Sequence, residues 1–381
     1  MSFLPSFVSH WRNALSFSST TVEEKDIVFY SEGKPSAPHL GPLIRELISR
    51  GRTVQLLISD KDDPLANSGD LKIISHWIGS GAARVWVHSS LAAKVYITTT
   101  PDLETMQLKR SKNDVFYVYA HHSMISHHMG YRPGAFDHFD AVLCTGAHQI
   151  EETRSTEELM KLEAKVLVEQ GYCRLDELRA ANSEGDEVAS GDKTTILLAP
   201  TWGENSILPI CGEELIQLLL ESDYNVILRP HPESVRKNPE LIRSLLAKFS
   251  AHEGFEYDPD STGDIWMQRS DLMISDWSGV AMEYAYGFEK PVLFIDLPKK
   301  VNNPDYEQLG IPPMEISIRE EIGSILGVGE ISKISDVVQG LISPEANNVE
   351  SIRTSRERRV FNEGRSASVG ADFIEQMVDS H

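Results

Sequence analysis

Three short stretches carry residues suited to phosphate chemistry. Ser275-Asp276-Trp277-Ser278-Gly279 follows the apolar run Leu272–Ile274 and precedes Val280-Ala281-Met282-Glu283. A strand, a turn of small residues and a helix are expected there. Backbone N–H groups at Ser278 and Gly279 would then sit at a helix mouth, where an anion gains from free donors and the helix dipole. Glu283 falls about one and a half turns later, placed to meet ribose hydroxyls. Arg229-Pro230-His231-Pro232 follows the apolar run Val226–Leu228. Prolines on both sides of His231 stiffen the loop. Arg229 can fork onto phosphate oxygens, and His231 can donate a hydrogen bond or a proton to a leaving group.

The third stretch is His121-His122-Ser123, with His127-His128 close behind, after the run that ends at Tyr119. A metal cluster lacks carboxylate or cysteine partners at useful spacing. A general base is the better reading for the pair next to the strand, because imidazole titrates near neutral pH. His127 and His128 are expected to lie on the surface. Thr201-Trp202-Gly203 forms a further loop after Leu197-Leu198-Ala199-Pro200, where Thr201 and the Gly203 N–H could hold phosphate or an acceptor. Trp202 is equally open to a packing role. Asp60-Lys61-Asp62-Asp63 resembles an Asp-x-Asp metal motif, but an acidic turn before a helix explains it more simply. No metal and no cofactor is expected.

The elements that must position these loops alternate. Strands are expected at Ile27–Tyr30, Val54–Ile58, Val85–Val87, Val95–Thr98, Val115–Tyr119 and Ala141–Cys144, with a helix over Leu40–Ser49. A polar stretch from Asn182 to Lys193 reads as a linker. Beyond it come strands at Thr195–Ala199, Asn225–Leu228, Leu272–Ile274 and Val292–Ile295. Helices are expected at Glu213–Leu220, Pro239–Phe249, Val280–Gly287 and Gly370–Val378. The rhythm implies an α/β fold: two Rossmann-like parallel-sheet domains facing a central cleft, with ligands at strand C-terminal ends. The expected boundaries are 1–185, 194–345 and a helical tail over 346–381.

Composition narrows the class. The 381 residues carry a net charge of −21, which disfavours nucleic acid as a partner. Three cysteines match no metal or redox spacing and suit a reducing compartment. No run approaches the length of a membrane span, and the N-terminus does not read as a secretory signal. A cytoplasmic location is expected. Phe3, Leu4, Phe7, Val8, Trp11 and Leu15 recur at helical spacing within an amphipathic segment over 1–16. It suits packing on the protein's own body or peripheral contact with the inner face of a membrane. P-loop, dinucleotide-binding and α/β-hydrolase signatures are absent.

The order Ala199-Pro200-Thr201-Trp202, Arg229-Pro230-His231-Pro232, Ser275-Asp276-Trp277-Ser278-Gly279 with Glu283, then Lys290-Pro291-Val292-Leu293-Phe294-Ile295-Asp296 resembles the CDP-glycerol glycerophosphotransferase family. These are teichoic-acid and capsule-type enzymes of GT-B fold. In this chain His122-Ser123 stands where the family usually has His-Gly, and Ser278-Gly279 where it usually has Ser-Ser. The resemblance implies transfer of glycerol phosphate from a CDP-linked donor to a hydroxyl of a glycan or lipid-linked polymer, releasing CMP. It implies that His122 takes the acceptor proton, that His231 and Arg229 neutralise phosphate charge, that Ser278 and Gly279 hold a phosphate, and that Glu283 holds the ribose. A GT-B glycosyltransferase or nucleotide-sugar epimerase, and a non-catalytic nucleotide-binding protein, remain open alternatives.

Overall fold

The computed structural model describes residues 6–67, 69–106, 108–184, 193–260, 262–346 and 348–381. Phe3 and Leu4 of the amphipathic pattern, and residues 185–192 of the expected linker, lie outside them. Two compact units emerge. Unit 1 comprises Met1–Arg174, Asp305–Leu309 and Val360–His381; unit 2 comprises Leu175–Pro304 and Gly310–Arg359.

Unit 1 is built on a parallel sheet of seven strands: β1 (Ile27–Ser31), β2 (Val54–Ile58), β3 (Ile73–Trp77), β4 (Val95–Thr98), β5 (Phe116–Ala120), β6 (Ala141–Cys144) and β7 (Val166–Glu169). Their order is β3-β2-β1-β4-β5-β6-β7. Side chains alternate between faces. Ile27, Phe29, Val95, Ile97 and Val118 line an aliphatic core under helices Ala37–Ser49 and Ser366–Ser380. Val28, Tyr30, Tyr96, Tyr117 and Tyr119 line the other, under helices Ser6–Ser19 and Ala82–Ser89.

Val85-Trp86-Val87, expected as a strand, lies inside helix Ala82–Ser89. Three apolar residues cannot distinguish the two periods. The buried set Ala83, Arg84, Val87 and His88 repeats at three and four residues, which is helical. The helix Ser6–Ser19 buries Ala14 and Phe17, sets Trp11 against Trp86, and leaves Phe7, Val8 and Leu15 exposed. Helix Ser366–Ser380 buries Ala371, Ile374 and Val378. Arg50 bonds Asp372 and Glu375 at 2.6 and 2.9 Å, and Arg52 bonds Glu375 at 2.8 Å.

Unit 2 carries six parallel strands: β8 (Thr195–Leu198), β9 (Asn225–Leu228), β10 (Phe255–Tyr257), β11 (Leu272–Ser275), β12 (Val292–Asp296) and β13 (Gly323–Gly327). The order is β10-β9-β8-β11-β12-β13. Ile196, Leu198, Val226, Leu228, Ile274 and Leu293 pack against the apolar faces of helices Gly212–Glu221, Pro239–Phe249 and Ile334–Ile342. In each sheet the chain starts at a central strand and reverses its direction of growth. The reversal falls between β1 and β4 in one unit and between β8 and β11 in the other. Such points open a crevice above the strand C-terminal ends.

Candidate active-site residues in each unit

In unit 2, Thr201, Arg229, His231, Ser275, Asp276, Ser278, Gly279 and Glu283 all lie at or beyond the C-terminal ends of β8, β9 and β11. Asp276 is buried and ties the loops together. Oδ1 accepts N–H bonds from Thr201 and Trp277 at 2.7 Å each, and Oδ2 accepts one from Ile207 at 3.0 Å. Burial pushes its pKa up, against the pull of these three donors. Ser275 is also buried and donates to the Ala199 carbonyl at 2.7 Å. Both side chains therefore shape the crevice from below.

Gly279 caps helix Val280–Phe288, with Glu283 in its first turn. Ala281 N–H and Met282 N–H bond back to the Ser278 and Gly279 carbonyls. The N–H groups of Ser278, Gly279 and Val280 donate to no acceptor among the described residues. Three donors at a helix mouth are suited to an anion.

His231 caps helix Pro232–Lys237 by accepting the Glu233 N–H on Nδ1 at 3.1 Å. The neutral ring therefore carries its hydrogen on Nε2. Burial, aided by the nearby Lys300 ammonium, lowers its pKa to about 4. It is a neutral hydrogen-bond donor near pH 7. Arg229 is buried, with Nε and Nη2 at 2.7 and 2.6 Å from Asp258 Oδ2. The fork expected to grip phosphate is thus turned onto a carboxylate at the end of β10. Nε makes the hydrogen bond and Nη2 an ion-pair contact, while neither Nη1 nor Nη2 has a well-aligned hydrogen-bond acceptor among the described residues.

Two cations escaped the sequence reading. Lys300 donates to Thr201 Oγ1 at 2.8 Å, with its ammonium 4.4 Å from the centre of the Trp202 ring. The Lys237 ammonium is 3.9 Å from the same ring centre. Trp202 is half-buried and lies 6.2 Å from the His231 ring. It serves as a platform for cations, a role its sequence neighbours did not signal. The Lys299-Lys300 pair just past β12 was the available clue. Gly203, at φ +113°, permits the loop to turn beyond Trp202.

In unit 1, His121, His122 and Ser123 follow β5, beside the reversal point. His122 Nδ1 lies 3.0 Å from the Thr99 carbonyl at the end of β4, and 3.1 Å from Tyr119 Oη. A carbonyl can only accept, so Nδ1 carries the hydrogen and Nε2 keeps its lone pair. Burial lowers the His122 pKa, while the Thr99 bond opposes that shift. The His39 ring stands 6.2 Å away. Ser123 is half-buried and accepts the Ile125 N–H at 3.4 Å.

His121 turns elsewhere. Thr153 donates to the Gln149 carbonyl, so its oxygen accepts from His127 Nδ1 at 2.9 Å. His127 Nε2 then accepts from His121 Nε2 at 2.7 Å. This chain, stacked among Tyr119 and Phe136, is an interior one. His127 and His128, expected on the surface, are both buried, because Glu152 accepts the His127 N–H and lies 3.4 Å from His128 Nδ1. The acidic turn is local too. Asp60 accepts the Asp62 N–H, while Asp63 is buried against Ser31 and the Leu65 N–H. Among the described residues no group of three or more His, Cys, Asp or Glu is placed to hold a metal ion.

Two parallel α/β units whose polar residues gather at strand ends define a protein of GT-B fold. Residues 22–300 match the family model described as CDP-glycerol:poly(glycerophosphate) glycerophosphotransferase, and the chain belongs to that family of transferases. It is 26% identical over 171 residues to the minor teichoic acid biosynthesis protein GgaB of Bacillus subtilis (strain 168), covering 37% of this chain and 17% of that protein. It is 28% identical over 173 residues to the teichoic acid poly(glycerol phosphate) polymerase of Bacillus spizizenii (strain ATCC 23059 / NRRL B-14472 / W23), covering 41% and 40%. The matched stretch thus spans less than half the length of either relative.

A solved structure of the wall teichoic acid polymerase TagF superposes with a TM-score of 0.61 at 15% identity, over 97% of this chain and 94% of that one. A UDP-N-acetylglucosamine 2-epimerase gives 0.58 at 13%, over 93% and 95%. At these identities the likeness is one of fold.

Proposed function

We propose that the protein transfers glycerol phosphate from CDP-glycerol to a hydroxyl of a teichoic-acid-like or other cell-surface glycan, releasing CMP. The observation that carries this reading is the opposite tautomers of two histidines. His122 presents a lone pair on Nε2, and His231 presents an N–H on Nε2. One suits proton removal from an alcohol; the other suits a phosphate oxygen that gains charge.

In this scheme the acceptor oxygen attacks the phosphorus that bears glycerol. A new P–O bond forms, the bond to the bridging oxygen breaks, and CMP departs with that electron pair. The acceptor proton passes to His122. Unit 1 serves the acceptor and unit 2 the donor. Ser278 and Gly279 N–H groups hold a phosphate, Glu283 meets the ribose, and Asp276 with Ser275 keeps Thr201 and that turn in place. Phosphoryl transfer asks for positioning and charge stabilisation rather than covalent help. His121 and Ser123 support the loop that carries His122.

The acceptor is proposed to be lipid-linked, with the protein working at the inner face of the membrane. Exposed Phe7, Val8 and Leu15 on one surface helix support peripheral contact. No described helix is long and apolar enough to cross a membrane.

Incubation with CDP-glycerol, CDP-ribitol, UDP-GlcNAc and a GDP-sugar, followed by nucleotide analysis, tests the reading. CMP released from a CDP-polyol in the presence of acceptor is expected. Release of UDP or GDP from a sugar donor would replace it with glycosyl transfer, and epimerised sugar with unchanged nucleotide would replace it with epimerisation.

A further inference from the structure

Lys300 stands out once the charges around the unit 2 strand ends are balanced. Its ammonium has three donor hydrogens. One goes to Thr201 Oγ1 at 2.8 Å, and no carboxylate lies within ion-pairing distance among the described residues. The groups facing it come from three elements. Asp276 faces it from the end of β11, Glu233 and Lys237 from helix Pro232–Lys237, and His231 from the loop after β9. Neither carboxylate is at its disposal. Asp276 is engaged by three backbone N–H groups, and Glu233 by Arg236 and Lys237 at 2.7 and 3.0 Å.

Arg229 is in the reverse position, since Asp258 already neutralises it. We propose that Lys300, seated on Trp202 with Lys237 as a second cation, is the residue that neutralises the donor's diphosphate, and that Arg229 acts as a structural partner of Asp258. The inference rests on the donor reading above, and it moves the charge-neutralising role from the motif arginine to a lysine outside the motifs. Two ammoniums against one indole, both within 4.4 Å of its centre, also repel one another.

A readout follows that simple packing would not give. Burial lowers the Lys300 pKa to about 8, with Asp276 opposing, Lys237 adding and Glu233 opposing. His231, at about 4, stays neutral and Glu233, at about 2, stays ionised between pH 7 and 9. Over that window the protonated share of Lys300 in the free protein falls from about nine-tenths to about one-tenth. Affinity for a diphosphate diester should fall about tenfold with it.

The test is calorimetric titration of the full chain with CDP-glycerol at pH 7, 8 and 9. Wild-type Kd is expected to rise about tenfold across the range. Lys300→Arg should bind within threefold of wild type at pH 7 and hold that affinity at pH 9, because guanidinium stays charged. Lys300→Met should bind at least tenfold more weakly at pH 7 and show no pH slope. A flat wild-type profile, or Lys300→Met within threefold of wild type, overturns the inference. Wild-type protein that binds UDP-GlcNAc in place of CDP-glycerol overturns the proposed donor instead. The same lysine series, read on that nucleotide, then decides the lysine separately. Binding of neither nucleotide overturns both.

Discussion

Replacing Asp276 by Asn tests whether one carboxylate organises the unit 2 crevice. The native side chain accepts three buried backbone N–H bonds, two on Oδ1 and one on Oδ2. Asparagine keeps one carbonyl oxygen for Thr201 and Trp277 but turns an NH2 group toward the Ile207 N–H. One buried donor loses its acceptor, at about 1–3 kcal/mol. The two surviving bonds change from charge-assisted to neutral, at about 1 kcal/mol each. Removing a buried anion returns about 1–2 kcal/mol. The net loss is about 2–3 kcal/mol. Asp276→Ala strands all three donors and should cost about twice as much. Urea unfolding followed by circular dichroism measures both, read on whichever transition shifts in this two-unit chain. An Asn variant within about 0.5 kcal/mol of wild type would refute the clamp. So would an Ala variant no worse than Asn.

His122→Gln should lower kcat at least a hundredfold and leave KM for the donor within threefold, since the base acts on the acceptor proton; steady-state kinetics with CDP-glycerol checks the split. Acid should destabilise the protein early. Burial first of all holds His76 near 4 and His88 and His127 near 3. The unfolded chain protonates them near 6.5, so below that pH it binds more protons than the folded state. Stability should fall as pH drops from 6.5 towards 4, by about 1 kcal/mol per pH unit for each histidine. A urea midpoint that does not move between pH 7 and 5 contradicts this. Gly323→Ala should prevent unit 2 from folding, because a Cβ there would sit 1.7 Å from the Val292 carbonyl oxygen; loss of soluble protein, with a control substitution at exposed Gly329 well tolerated, is the expected pair of results.

The central strands were legible because burial on both faces demands unbroken apolar runs. Val54–Ile58, Val95–Thr98, Ala141–Cys144 and Asn225–Leu228 matched to the residue. Edge strands were not legible. β3 carries Ser75 and His76, β7 and β10 carry glutamates, and β13 starts and ends in glycine. At the site, sequence could place each loop at a strand end but could not see how side chains are engaged. Arg229 and Asp276 read as ligand groups, and the fold occupies both with protein partners. Lys237 and Lys300 belong to no motif in the sequence, and the fold brings them to one indole from positions 63 residues apart. Tautomers were equally hidden, since the Thr99 carbonyl and the Glu233 amide that fix them come from backbone geometry.

The helix Ser366–Ser380 imposes an order on biosynthesis. Its Ala371, Ile374 and Val378 complete the aliphatic face over β4 and β7, yet the ribosome makes them after all of unit 2. The nascent first sheet must therefore wait with that apolar face covered only by helix Ala37–Ser49 while some two hundred further residues emerge. A fragment ending at Arg174 would keep helix Ala37–Ser49 but leave the area under Ala371, Ile374 and Val378 exposed, so dissection of the protein into its halves calls for carrying the late helix with the early sheet.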